Sequence, residues 1–189
     1  MSREMTETQL LSRKLTRQFG KNLYTLPIFT GEVTGRKIKK LWRDIVKQCA
    51  KNPYQRFVLF ITTDGGDADP ARLFYSLVRT ADINLITVAL EHVYSAGLVL
   101  LLAGKQRFAT AHTEFVIHQA SLYLQGSHAY NEAELLEELQ SLQHTNRVLL
   151  DILTENLSIC RSDIDAMAKT ETYLTAKDAK KIKLVQKII

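Results

Sequence analysis

Ser95 stands in the run Val93-Tyr94-Ser95-Ala96-Gly97, where an apolar strand pattern gives way to a helical one. A serine at such a junction holds its hydroxyl at a helix N-terminus, and the N–H of Ala96 points the same way. One turn then offers both a nucleophile and an oxyanion donor. An ordinary N-capping serine gives the same local pattern. The G-x-S-x-G elbow is not matched, because Val93 occupies the place of its first glycine. His118 directly follows the apolar run Phe115-Val116-Ile117. A histidine at a strand end can reach a neighbouring loop and act as general base, or it can be a hydrogen-bonded structural residue. Asp64-Gly65-Gly66 follows the run Phe57-Val58-Leu59-Phe60-Ile61. Paired glycines there permit a tight turn that leaves backbone N–H groups free to donate, although many strands simply end this way. Serine, histidine and free amides together are the parts of nucleophilic acyl transfer.

Those residues need strand ends to hold them. Leu26 to Thr30 predicts a first strand ended by Gly31. Val33 to Lys51 carries Ile38, Leu41, Trp42, Ile45 and Val46 at helical spacing, stopped by Asn52-Pro53. Phe57–Ile61 is a continuous apolar run that suits a parallel strand buried on both faces. Asp69 to Thr80 predicts a helix with Leu73, Leu77 and Val78 on one side. Asn84 to Leu90 predicts a strand, Ala96 to Ala103 a helix, and Phe108-Ala109 and Glu114–Ile117 two further strands. The alternation argues an α/β fold with crossover helices. Residues 129–156 predict one long amphipathic helix containing Leu135, Leu136, Leu139, Leu142, Val148, Leu149 and Leu153. Shorter helices follow at Asp163–Met167 and Ala176–Lys183, and Leu184 to Ile189 closes as a strand. Residues 1–22 are polar and weakly patterned, and read as an N-terminal arm outside the core. Residues 23–189 read as one domain.

Composition excludes several classes. The chain has 189 residues, 46% hydrophobic and 24% charged, as in ordinary soluble globular proteins. Such a length buries a core without disulfides or metal. Cys49 and Cys160 are isolated and read as reduced cytosolic thiols, and no metal-ligand cluster appears. The net charge of +5 lies on helix faces and chain ends without aromatic interleaving, so a nucleic-acid partner is not expected. Met1-Ser2-Arg3-Glu4 lacks the apolar core of a signal peptide. The most apolar stretch, Leu98–Ala103, is far shorter than the roughly 20 residues of a membrane span. A cytoplasmic protein with no membrane association is the expectation.

The order Gly65-Gly66, Ser95, His118-Gln119 resembles the Clp protease proteolytic subunit (ClpP), whose pattern is a strand, Ser-Pro-Gly-Gly, Gly-x-Ala-Ala-Ser-Met-Gly and a Met-Ile-His-Gln-Pro strand end. The resemblance extends over roughly residues 26–187. Ile28-Phe29-Thr30-Gly31-Glu32-Val33, Asn52-Pro53, Leu100 to Phe108, Gln125-Gly126 before a long helix, and Thr175-Ala176-Lys177-Asp178-Ala179 are each similar to family segments.

The resemblance implies the ClpP/crotonase fold, a repeated β-β-α spiral with a long protruding handle helix at about 127–157. It implies Ser95 as nucleophile, His118 as general base, and the amides of Gly66 and Ala96 as the oxyanion hole. Ser121, Leu122, Tyr123, Leu124, Gln125 and Gly126 would form the edge where an extended peptide docks by β-addition. The family places an Asp four residues before the serine of its Ser-Ala-x-Glu-Ala segment, which here falls on Glu171. Asp165 or Asp163 takes that role if the alignment shifts. No cofactor is implied. The partners implied are unfolded polypeptide substrates, an AAA+ unfoldase of the ClpX or ClpA kind, and further subunits in heptameric rings, stacked as a tetradecamer or mixed with a paralogue. The chain has no Walker A motif, so ATP use belongs to the unfoldase. Asp64 replaces the family's proline, Val93 and Tyr94 replace small residues, Ala120 replaces a proline, and Leu122-Tyr123 replaces Gly-Gly, changes that would narrow the cleft or alter its specificity. These departures keep open a non-catalytic ring subunit paired with an active paralogue. A crotonase-type acyl-CoA enzyme is the third reading, on the shared spiral alone.

Overall fold

A computed structural model describes residues 16–122 and 129–189 of the chain. Two long parallel strands organise it, β3 (Arg56–Thr63) and β4 (Leu85–Tyr94). Each is long enough to serve two tiers of one sheet. The first half of β3 pairs with β1 (Leu23–Thr25) and its end with β2 (Phe29–Thr30). Likewise β4 pairs first with β5 (Gln106–Ala109) and at its end with β6 (Glu114–Ile117). Between the tiers the register slips, from Ile61 opposite Ala89 to Thr63 opposite Val93, so β4 carries two extra residues through a bend. The outer tier ends on β8 (Lys187–Ile188), parallel to β5. The inner tier ends on β7 (Thr172–Thr175), the one antiparallel pairing among the described residues. This parallel-dominated α/β architecture is consistent with the expected fold.

Both faces of β3 are covered, as its continuous apolar run predicts. Phe57, Leu59 and Ile61 face the main core, and Val58 faces a second cluster with Phe19, Ile86 and Val88. Helices α1 (Gly35–Cys49), α2 (Ala68–Thr80) and α3 (Ala96–Leu102) cover the main face. Every residue of α3 is buried, so this helix is apolar all round. Gly97 lets it lie directly on the sheet, where a Cβ would come within 2.4 Å of Thr63 Cγ2. Helix α4 (Glu132–Asn156) starts with a capping box formed by Asn131 and Glu134. Its second half packs on the body through Val148, Leu149, Ile152 and Leu153. Helices α5 (Arg161–Lys169) and α6 (Ala176–Lys181) complete the order.

Several expectations need correction. Leu26–Thr30 is not one strand: Pro27 cannot donate to the ladder, and pairing breaks between β1 and β2. Leu73 is exposed, because Ala71, Phe74, Tyr75 and Val78 form the buried stripe of α2. Val46 of α1 and Leu135, Leu136 and Leu139 of α4 are likewise exposed. The segment 16–22 is not wholly outside the core: Phe19 is buried edge-on against Phe108, with ring centroids 5.2 Å apart. Strand β7 was not foreseen at all. Residues 1–15 of the expected arm, and residues 127 and 128 of the expected handle, lie outside the described residues.

Candidate active site

The second tier delivers its strand ends to one edge. Thr63 lies opposite Val93, and Tyr94 lies opposite Val116, all in parallel register. The chain therefore leaves β3 into Asp64-Gly65-Gly66, β4 into Ser95 and β6 into His118 at the same end of the sheet. Antiparallel β7 begins there, with Thr172 opposite Ile117, so Glu171 immediately precedes it.

Ser95 occupies φ 54°, ψ −127°, a left-handed φ that side chains with a Cβ avoid. Its side chain makes no capping hydrogen bond to α3, so the ordinary N-cap reading does not describe it. Instead its N–H donates to the Val116 carbonyl at 3.1 Å, tying the turn to β6. Holding such a residue costs about 1–3 kcal/mol, and the sharp strand-to-helix turn lifts the hydroxyl into a cleft. Gly65, at φ 103°, makes the neighbouring turn possible, since a Cβ there would sit 2.7 Å from Ser95 Cβ and 3.3 Å from its Oγ.

The amides expected as oxyanion donors, those of Gly66 and Ala96, are both left without a backbone partner among the described residues. Val33 donates its N–H to the Gly65 carbonyl at 2.6 Å and accepts from the Asp67 N–H at 3.0 Å. That alternation turns the intervening Gly66 amide to the opposite side. Ala96 opens α3, where a first-turn N–H has no partner within the helix. Gly66, Ser95, Ala96 and His118 line one cleft of about 530 Å³, closed on the far side by Ala120, Ser121, Leu122 and the α4 residues Leu142 and Leu149. Tyr123, Leu124, Gln125 and Gly126 lie outside the described residues.

His118 is half-buried and also borders a second cavity of about 470 Å³ under α4, lined by leucines with Arg147, Arg161 and Asp165. The chain after it is clamped twice. Gln119 N–H donates to Ala168 O at 3.2 Å, and Ala120 N–H donates to Asn146 Oδ1 at 2.7 Å. Asn146 was missed in the sequence, although an amide among Leu142, Leu149 and Leu153 on the packed stripe of α4 is itself a signal. Glu171, at φ 49°, lies one step beyond the last β6–β7 pair, where that step would set it opposite His118. Its carboxylate accepts from Tyr173 Oη at 3.4 Å. Among the described residues no hydrogen bond or ion pair joins His118 to Glu171, Asp165 or Asp163. Asp165 shares the second cavity with His118 but pairs with Lys169 at 2.6 Å, and Asp163 is exposed in the first turn of α5.

The bulk at Val93 and Tyr94 does not narrow the cleft. Val93 is buried in the core, and Tyr94 turns to Glu114, donating from Oη to Oε2 at 3.2 Å. Burial, then that hydrogen bond, pushes the Tyr94 phenol up from its ordinary value. His92 was not singled out in the sequence, yet its Nε2 sits 3.1 Å from the Asp64 carboxylate beside Thr62. Asp64 in the proline's place thus ties the glycine turn to β4 by a side-chain pair. Among the described residues no three His, Cys, Asp or Glu side chains gather as metal ligands, and no helix is long and apolar enough to cross a membrane.

Comparison with known proteins gives the same order of elements a name. The chain is 24% identical over 164 residues to the ATP-dependent Clp protease proteolytic subunit 3 of Rhodococcus jostii (strain RHA1), covering 86% of this chain and 79% of that protein. It is 26% identical over 165 residues to proteolytic subunit 2 of Nocardia farcinica (strain IFM 10152), with 86% and 79% covered. With proteolytic subunit 1 of Chlamydia abortus (strain DSM 27085 / S26/3) it shares 29% over 155 residues, 80% of this chain and 77% of the relative. The Clp protease family matches residues 19–189, nearly all that is described here, and the chain belongs to that family.

Proposed function

We propose that the protein is the proteolytic subunit of a self-compartmentalising serine endopeptidase. The observation that carries this reading is Ser95, strained and uncapped in the same cleft as His118 and the two turned amides. Ser95 Oγ attacks the substrate carbonyl while His118 takes its proton, and the amides of Gly66 and Ala96 receive the developing oxyanion. His118 then returns the proton to the leaving amine, and water hydrolyses the acyl-enzyme by the same steps reversed. Glu171 is the acid assigned to orient His118. An extended peptide docks along Ser121, Leu122 and the residues after them. The N–H groups of Gln119 and Ala120 are already taken, so pairing starts at Ser121.

In this reading the subunits form heptameric rings, stacked in pairs, and an AAA+ unfoldase feeds them in the cytoplasm. The exposed leucines of the first half of α4 support an interface there. A second reading, a ring subunit without activity of its own, is favoured by one observation: Glu171 bonds Tyr173 instead of His118. A fluorophosphonate probe separates the two. The assembled particle, its mass measured alongside, should be labelled at Ser95 and should degrade unfolded casein, and Ser95→Ala should lose both. Absence of labelling in the assembled wild type selects the inactive subunit, and casein cleavage surviving in Ser95→Ala refutes the mechanism.

A further inference from the structure

Three side chains form a row across the inner tier: Tyr94 of β4, Val116 of β6 and Tyr173 of β7, which the register places directly beside one another. Tyr173 is 65% exposed and sets its ring edge-on to Tyr94, with centroids 6.3 Å apart. Tyr94 is in turn fixed by Glu114. Tyr173 therefore has a defined perch, braced by the residue that immediately precedes Ser95. From that perch its hydroxyl donates to Glu171 Oε1 at 3.4 Å. Glu171, at φ 49°, is the turn residue just before β7, so its carboxylate meets the phenol two residues on, while one further ladder step would set it opposite His118.

We propose that Tyr173 is a positioning residue for the catalytic acid, holding Glu171 in a parked rotamer from which it must swing to orient His118. The inference rests on the proposed triad. The glutamate's extra methylene gives it reach in both directions: forward to the phenol two residues on, or across the ladder to the imidazole. The parking bond lies at the long end of hydrogen-bond geometry and on the surface, so it competes without trapping the acid. The fraction of subunits with Glu171 on His118 then scales the turnover rate, and the cleft that binds peptide is untouched.

The test is peptide hydrolysis by the assembled particle carrying Tyr173→Phe, which keeps the ring against Tyr94 and removes only the hydroxyl. The expected result is a rise in kcat of about two- to fivefold, the population released by deleting one exposed neutral hydrogen bond, with KM unchanged. In a Glu171→Gln background, Tyr173→Phe should have no effect on kcat. An unchanged or lowered kcat in Tyr173→Phe, or an equal gain in the Gln background, overturns the inference while leaving the triad standing. Loss of activity in Asp165→Asn with none in Glu171→Gln moves the acid to Asp165 and overturns it too. Failure of the underlying reading looks different: hydrolysis persists in Ser95→Ala, or the wild type and every variant are inert and unlabelled, and the inference falls with it.

Discussion

Replacing Ser95 with glycine should stabilise the protein relative to wild type. In the left-handed region a residue with a Cβ stores about 1–3 kcal/mol of strain, which glycine does not carry. Glycine's larger freedom in the unfolded chain returns about 0.4–1 kcal/mol of that. Nothing else is lost, because the Ser95 hydroxyl makes no capping bond. The net gain is about 1 kcal/mol, or about 2–4 °C in Tm for a chain of this size. Ser95→Ala keeps the Cβ and the strain, so it should melt with the wild type. A capping serine behaves in the opposite sense: alanine costs about 1 kcal/mol and glycine a few tenths. Thermal unfolding of the three proteins at one subunit concentration distinguishes these patterns, since assembly makes Tm concentration-dependent. A Ser95→Gly protein no more stable than wild type refutes the reasoning that the turn is strained for a purpose.

Gly65→Ala should abolish labelling of Ser95 by a fluorophosphonate, by about 100-fold or more, with the far-UV spectrum retained. The new Cβ meets Ser95 Cβ at 2.7 Å, and displacements of an ångström cost that much in catalysis. Asn146→Ala leaves the Ala120 N–H without its partner, so it should cost about 1–2 kcal/mol in urea unfolding and raise the KM for peptides. Asp178, which caps α6, is held down to about 2, first by the Thr175 hydroxyl and then by Lys181. A depressed carboxylate stabilises the fold above its unfolded value, and that stability is lost as pH falls through the folded one. The stability gap between wild type and Asp178→Asn should therefore be constant above about pH 4 and close between pH 4 and 2.

The elements that were legible in the sequence are those whose burial is written in consecutive residues. Phe57–Ile61 announces a two-sided strand because alternate residues fall on two different apolar clusters. Ala96–Leu102 was equally plain, being apolar on every side. Strand β7 was not, since Thr172-Tyr173-Leu174-Thr175 is short and half polar, and only its pairing with β6 makes it a strand. Leu73 and Val46 fit a helical period yet face outward, because period alone does not choose which of two overlapping stripes meets the sheet. At the site, Ser95 and His118 could be named from their place at strand ends. The two readings of Ser95 parted only on a backbone angle and a missing capping bond, and no sequence pattern encodes those. Asp64 and His92 are 28 positions apart and meet because their strands are neighbours, a long-range fact that residue types near either one do not carry.

The inner tier has one further consequence. The distance between the Gly65-Gly66 turn and the Ser95 turn is one strand spacing of a parallel ladder, about 4.8 Å, and the next spacing leads on to His118. Peptide geometry sets that ruler, and no side chain is needed to calibrate it. Helices, arms and clefts can drift in sequence, to the 24–29% identity that separates this chain from relatives of its family, while the ruler keeps its length. What drift can change is the furniture around the marks: a carboxylate where a proline stood, or an acid longer by one carbon. Such a scaffold can change the residues around those marks without moving the marks themselves.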